Sequence, residues 1–160
     1  MRIKIKPHHF IDIITSLANE KIELKPCSYR HDVHTVTRLL LQDSEIELEM
    51  ELGADKICAP CIHNKNGLCD DTIDTSARPR APSSKREWNL LIDQRWCSRL
   101  QIKQDDVFSA QDFCLLIKKY TNNLQEIYPE MPLGHTEQRA RDLNTGLEKY
   151  LYSKNAIKLQ

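Results

Sequence analysis

The sequence lacks a charge imbalance, an apolar run of membrane length and any internal repeat, and each absence removes a class of function. Twenty-three basic residues are balanced by twenty-three acidic ones. A chain without net charge offers no general attraction to a polyanion, so nucleic acid is not an expected partner, although a local basic patch stays open. No stretch approaches the roughly 20 apolar residues of a membrane span. The N-terminus, MRIKIKPHHF, interrupts its isoleucines with charge and has no apolar core of the signal-peptide kind. A cytoplasmic protein without a membrane partner is therefore expected. At 160 residues the chain suits one domain with a real core rather than two.

What is present is cysteine, six in all, three of them within twelve residues. In a reducing compartment such a cluster points to metal or redox chemistry rather than to disulfides. From Gly53 to Asp71 the chain runs GADKICAPCIHNKNGLCDD, which sets Cys58, Cys61 and Cys69 at C-x2-C-x7-C spacing around His63 and an Asn66-Gly67 turn. The loop has few apolar side chains, and thiolates converging on a metal supply the fold energy that burial does not. A closed thiolate site wants a fourth ligand, and Cys97, on a helix after the next connection, is the candidate. Tetrahedral zinc, as in a structural module for protein interaction, and an iron–sulfur cluster both accept four thiolates. Zinc ribbons usually close with a second C-x2-C pair, which is missing here, so the spacing favours iron and sulfur. Cys27 and Cys114 read as small buried hydrophobes. A thioredoxin-type dithiol at Cys58 and Cys61 would need a helix to start there, and Asn64, Asn66 and Gly67 follow too closely.

The surrounding pattern predicts an α+β domain: a small sheet with an N-terminal βαβ unit over 1–53, a cysteine-rich metal-binding loop over 54–71, a surface linker over 72–84 and a helical part over 85–152. Arg2 to Lys6 alternates isoleucine with basic residues, and Ile46 to Leu52 alternates apolar residues with glutamates. Opposite charges on one face of a shared sheet can pair across the two strands. Between them, Pro7 opens a helix to about Asn19, and Val33, Val36 and Leu40 mark a second over 31–41. If the strands are parallel neighbours, both end on the same sheet edge, which brings Pro7-His8-His9 beside Cys58-Ala59-Pro60-Cys61.

Residues 70–85 form a proline-interrupted connection carrying Arg78, Arg80 and Lys85, read as a solvated linker because no aromatic residue stands among the charges. Ser84 with Glu87 and Ser109 with Asp112 are helix-start signals, and a last amphipathic helix spans 136–152. Counting 100° per residue puts Cys97 nearly opposite Trp88.

Adjacent helical histidines point about 100° apart, so His8 and His9 are not expected to share one ion. His8 with Asp12, four residues on, can form an imidazole–carboxylate pair, and these two are the candidate catalytic residues if the site is an enzyme with an open metal position. His8, His9 and His63 are otherwise expected as neighbours that hydrogen-bond to the site. His31 and His34 read as satisfied surface residues.

Pro7-His8-His9 after a short basic strand, followed some fifty residues later by Asp55, Ile57-Cys58-Ala59-Pro60 and His63, resembles a small prokaryotic family known as domain-of-unknown-function family 1284. The resemblance covers about residues 1–100. It implies an intracellular metalloprotein with no reaction assigned, from a family labelled as iron–sulfur binding; a cluster on these residues is expected to serve electron transfer or redox sensing with a partner the sequence does not name. The chain departs from that pattern at Asp12, where the family usually has cysteine, which leaves Cys97, Cys27 or the Asp12 carboxylate to complete the ligand set.

Overall fold

Isoleucines two apart on a short strand need a second layer to cover them, and the computed structural model, which describes residues 1–43, 45–153 and Ile157, shows what supplies it. Strand β1 (Arg2–Ile5) buries Ile3 and Ile5 and exposes Arg2 and Lys4. It pairs in parallel with β2 (Glu47–Met50), in a register that sets Arg2 opposite Glu47 and Ile5 opposite Met50. The charge pairing expected from the alternation is present: Arg2 meets Glu47 at 3.1 Å and Lys4 meets Glu49 at 3.2 Å, on the solvent face.

The crossover carries α1 (Pro7–Ser16) and α2 (Val33–Gln42). Helix α1 ends three residues sooner than its periodicity suggested, in a turn where the Leu17 N–H closes on the Ile14 carbonyl. A third strand, β5 (Val107–Ser109), adds antiparallel to the other side of β2 and makes the sheet mixed. Three residues are too short a run for an alternation to be seen, so this strand was not anticipated.

Helices α3 (Lys85–Leu100) and α5 (Leu133–Tyr152) pack on α1, and α4 (Ala110–Lys118) packs on β5 and α5, with a 3-10 turn at Leu124–Glu126. Both serine start signals hold: Ser84 accepts from the Glu87 N–H at 3.3 Å and Ser109 from the Asp112 N–H at 3.0 Å. The core joins Ile5, Phe10, Ile14, Leu48, Trp96 and Phe113 into one cluster, and each such side chain contributes about 1.5–3 kcal/mol on burial. Helices α1 and α5 touch most closely at Gly146, where a Cβ would overlap the Ile14 carbonyl oxygen. Glycine is there because the backbones meet.

The connection over 72–84 is folded rather than loosely solvated. A bridge between Thr72 and Ser84 closes it, Ala81 is buried, Arg78 lies 5.7 Å over the Trp88 ring, and Arg80 donates to the Pro129 carbonyl. Among the described residues, no helix is long and apolar enough to cross a membrane.

Candidate metal centre

The parallel pairing of β1 with β2 has the consequence the sequence implied: the chain leaves both strands at the same sheet edge, with α1 starting from one and the cysteine loop from the other. The N-terminus of α1 exposes N–H groups that no earlier turn can satisfy. Pro7 has none to satisfy. The next donors are taken by two buried carboxylates. Asp93, on α3 and fully buried, accepts from the His8 N–H and from His8 Nδ1, both at 2.8 Å. Asp55, at the start of the cysteine loop, accepts from the Lys6 N–H at 2.9 Å and from His9 Nδ1 at 2.7 Å through Oδ2, and from the Cys58 N–H at 2.9 Å through Oδ1.

Each carboxylate therefore does two things at once: it caps the positive end of the helix and fixes an imidazole. With Nδ1 hydrogen-bonded to an acceptor, the proton sits there and Nε2 keeps its lone pair. Neither Nε2 has a protein partner among the described residues, and the two rings lie 4.3 Å apart between centroids, lining one cavity. Burial raises the Asp55 carboxyl, but His9 and the two backbone donors outweigh it and hold it well below the usual carboxylate range. Burial and the neighbouring His8 pull His9 down in spite of Asp55.

The loop beyond Asp55 is made of turns. The Ala59 N–H closes on the Asp55 carbonyl and the Cys61 N–H on the Cys58 carbonyl, both at 3.0 Å, which turns both cysteines onto one side. A hairpin follows, β3 (Asn64–Lys65) with β4 (Leu68–Cys69). Its tip needs two left-handed residues, supplied by Asn66 at φ 52° and Gly67 at φ 86°. Asn64 donates to the Cys58 carbonyl at 3.1 Å and so ties hairpin to turn. His63 is held by Asp70 at 2.9 Å, and Asp71 by Lys85 at 2.7 Å, which anchors the loop on α3.

Cys58, Cys61 and Cys69 border two hollows. One, of about 130 Å³, also takes Lys6, Arg86 and Leu90. The other, of about 700 Å³, takes His8, His9, Asp12 and His63. None of the six cysteines is in a disulfide, and the three loop cysteines are partly exposed. Burial, then the Asp55 charge, push the Cys58 thiol up to about 11, so a bound metal would have to displace its proton. Among the described residues, one group of ligand side chains has its donor atoms all within 4.8 Å of one another: His9, Asp55 and Cys58.

Cys97 is placed elsewhere. It lies seven residues beyond Leu90 on α3, about 10 Å along the axis. It lines a separate open hollow with Gln101, Ile102 and Asp106, where burial and then Asp93 and Asp106 push its thiol up to about 11. The structure thus brings three of the four expected thiols together and leaves out the fourth. Asp12 is also not the partner of His8; it forms an ion pair with Arg139 of α5, and Asp93 takes its place. His31 is not a satisfied surface residue: it lines the large cavity with Nδ1 buried and unpaired, and burial lowers its pKa. Cys27 is half-buried, its thiol 4.0 Å from the His31 carbonyl, and Cys114 lies in the core, as expected of it.

Sequence reasoning missed Asp93 and Lys6. An aspartate flanked by Ile92 and, three residues on, Trp96 was the available sign that this helix buries a polar edge. Lys6 shares the strand face of exposed Lys4, yet only 8% of it is exposed, because the cysteine loop covers the end of that face. No family model, curated protein or solved structure matches this chain, so the resemblance to family 1284 rests on its motif residues alone.

Proposed function

We propose that the protein carries an iron–sulfur cluster on Cys58, Cys61 and Cys69, beside the His9–Asp55 pair, and serves electron transfer or redox sensing. The observation that carries this reading is the hollow of about 130 Å³ bordered by all three loop thiols together with Lys6 and Arg86. Thiolates and sulfide bring negative charge, and two cations at the rim offset it. The spacing supports a polynuclear group. A tetrahedral zinc ion with Zn–S bonds near 2.3 Å needs sulfurs about 3.8 Å apart. The three thiols do not gather even within 4.8 Å as a set among the described residues, and a cluster spreads its ligands wider.

His9, grouped with Asp55 and Cys58, offers the lone pair of its Nε2 as the further ligand in place of Cys97. A cluster bound there would supply one-electron chemistry; the chain supplies the thiols, the counter-charge and a fixed imidazole. Partial exposure of the three cysteines leaves the site open to a partner.

The test is iron and acid-labile sulfide content with a visible spectrum, on protein purified without oxygen. Iron with matching sulfide, lost in Cys58→Ser and Cys69→Ser and retained in Cys97→Ser, is the expected result. Colourless protein with one zinc per chain would overturn it. The close approach of His9, Asp55 and Cys58 favours a second reading, a single metal ion held by His9 and Cys58. In that case one metal per chain, without sulfide, would disappear in His9→Ala and survive Cys69→Ser.

A further inference from the structure

The cavity of about 700 Å³ is larger than a metal site requires, and falls within the roughly 300–1,000 Å³ of small-molecule pockets. Lys6, 8% exposed as a residue, lines it with an ammonium that has no acceptor among the described residues, and His8, 6% exposed, lines it with Nδ1 committed to Asp93.

The charges on the wall point the same way. The carboxylates lining the cavity are Asp12 and Asp71, and each is already bound, to Arg139 and to Lys85 respectively. Arg78 lines it with no carboxylate partner, its guanidinium over Trp88 and its Nε on the Asp74 carbonyl. An acidic ligand would therefore meet Lys6 and Arg78 without displacing an internal ion pair or facing an unpaired carboxylate. Trp88, Ile92, Tyr128 and Met131 add apolar wall, which suits a ligand with an organic body rather than a bare inorganic ion. The concave shape and the neutral chain exclude an extended polyanion.

We propose that this cavity binds a small organic carboxylate or phosphate, its anionic end at Lys6 and Arg78 and its body against Trp88 and Tyr128. The proposal goes beyond the cluster reading and does not require a cluster; Lys6 borders both hollows, and Arg78 borders the large cavity alone. It gives the two cations without a carboxylate partner and the apolar wall a common purpose.

Benzoate serves as the probe, benzylamine as the control of similar shape and opposite charge, with binding followed by calorimetry on the whole protein as purified. Saturable binding of one benzoate per chain and none of benzylamine is expected. Lys6→Met should weaken it by about tenfold or more, the size of one charge-assisted hydrogen bond. Arg80→Ala, outside the cavity, should change nothing. Absence of saturable benzoate binding, or equal binding of benzylamine, would overturn the proposal. Iron and sulfide are measured on every variant. If Lys6→Met sheds its cluster, Arg78→Ala decides: weaker benzoate binding with full iron supports the site, and unchanged binding overturns it. Benzoate binding by iron-free protein would uphold the site while removing the cluster.

Discussion

The start of α1 and the cysteine loop meet at Asp55 and are held by opposite means. At the helix start, Phe10, Ile11 and Ile14 are fully buried and the exposed donors of the first turn are taken by Asp93 and Asp55. In the loop, turns and one short hairpin do the holding, Ile62 and Leu68 are 43% and 50% exposed, and the three cysteines are partly exposed and in no disulfide. One half of the site is locked before anything binds; the other half keeps its binding atoms free. A rigid imidazole beside adaptable thiols is an arrangement in which the ligand, not the fold, completes the second half.

If that contrast is right, damage to the locked half should show in stability and damage to the loop in metal content. The largest effect is expected from Asp93→Ala, which strands a buried imidazole and a helix N–H: about 3–5 kcal/mol lost in chemical denaturation. A loss below 1 kcal/mol would mean that the helix start is not locked. Next comes Gly146→Ala, which forces α5 off the Ile14 carbonyl and should cost about 1–3 kcal/mol by overpacking, with the metal retained. A smaller effect, far from either half, calibrates the scale. Burial raises the Glu130 carboxyl, but the paired Arg95 guanidinium outweighs it and holds it below the usual range, with contacts at 2.8 and 2.9 Å. A carboxyl lowered on folding stabilises above its unfolded pKa of about 4.3, and that stability fades as pH falls through it toward the folded value. Glu130→Gln should therefore be about 1 kcal/mol less stable than the parent at pH 7, a gap that closes on titration towards pH 3. Smallest is Cys97→Ser, in a hollow apart from the loop: stability within about 0.5 kcal/mol and full metal content are expected. Loss of metal in that variant would return Cys97 to the ligand set.

The parts that were legible before the structure are those written in short periods. Alternation in Arg2–Ile5 and Glu47–Met50 marked the two strands, and their parallel pairing, posed there as a condition, brings the histidine pair to Cys58. The Asn66-Gly67 tip was readable because the left-handed backbone selects those residues. Partners across the fold were not legible. His8 has an acid four residues on, Asp12, and another eighty-five residues on, Asp93; local spacing prefers the first, while packing of α1 on α3 selects the second. Counting residues set Cys97 opposite Trp88 on the helix, but angle around a helix says nothing of distance along it. Lys6 looked exposed because alternation describes a strand and not the loop that later lies over its end.

Asp55 also sets an order of events. The three loop thiols lie within twelve residues, so an unfolded chain already holds them close enough to capture a metal. His9 and Lys6 join them only when the crossover is complete and Asp55 has closed on the first turn of α1. If a metal group binds as proposed, loading can precede folding, and whatever affinity the unfolded loop has would be subtracted from the stabilisation that the group gave the native state. The newly made chain would be caught by its cargo first and shaped around it afterwards.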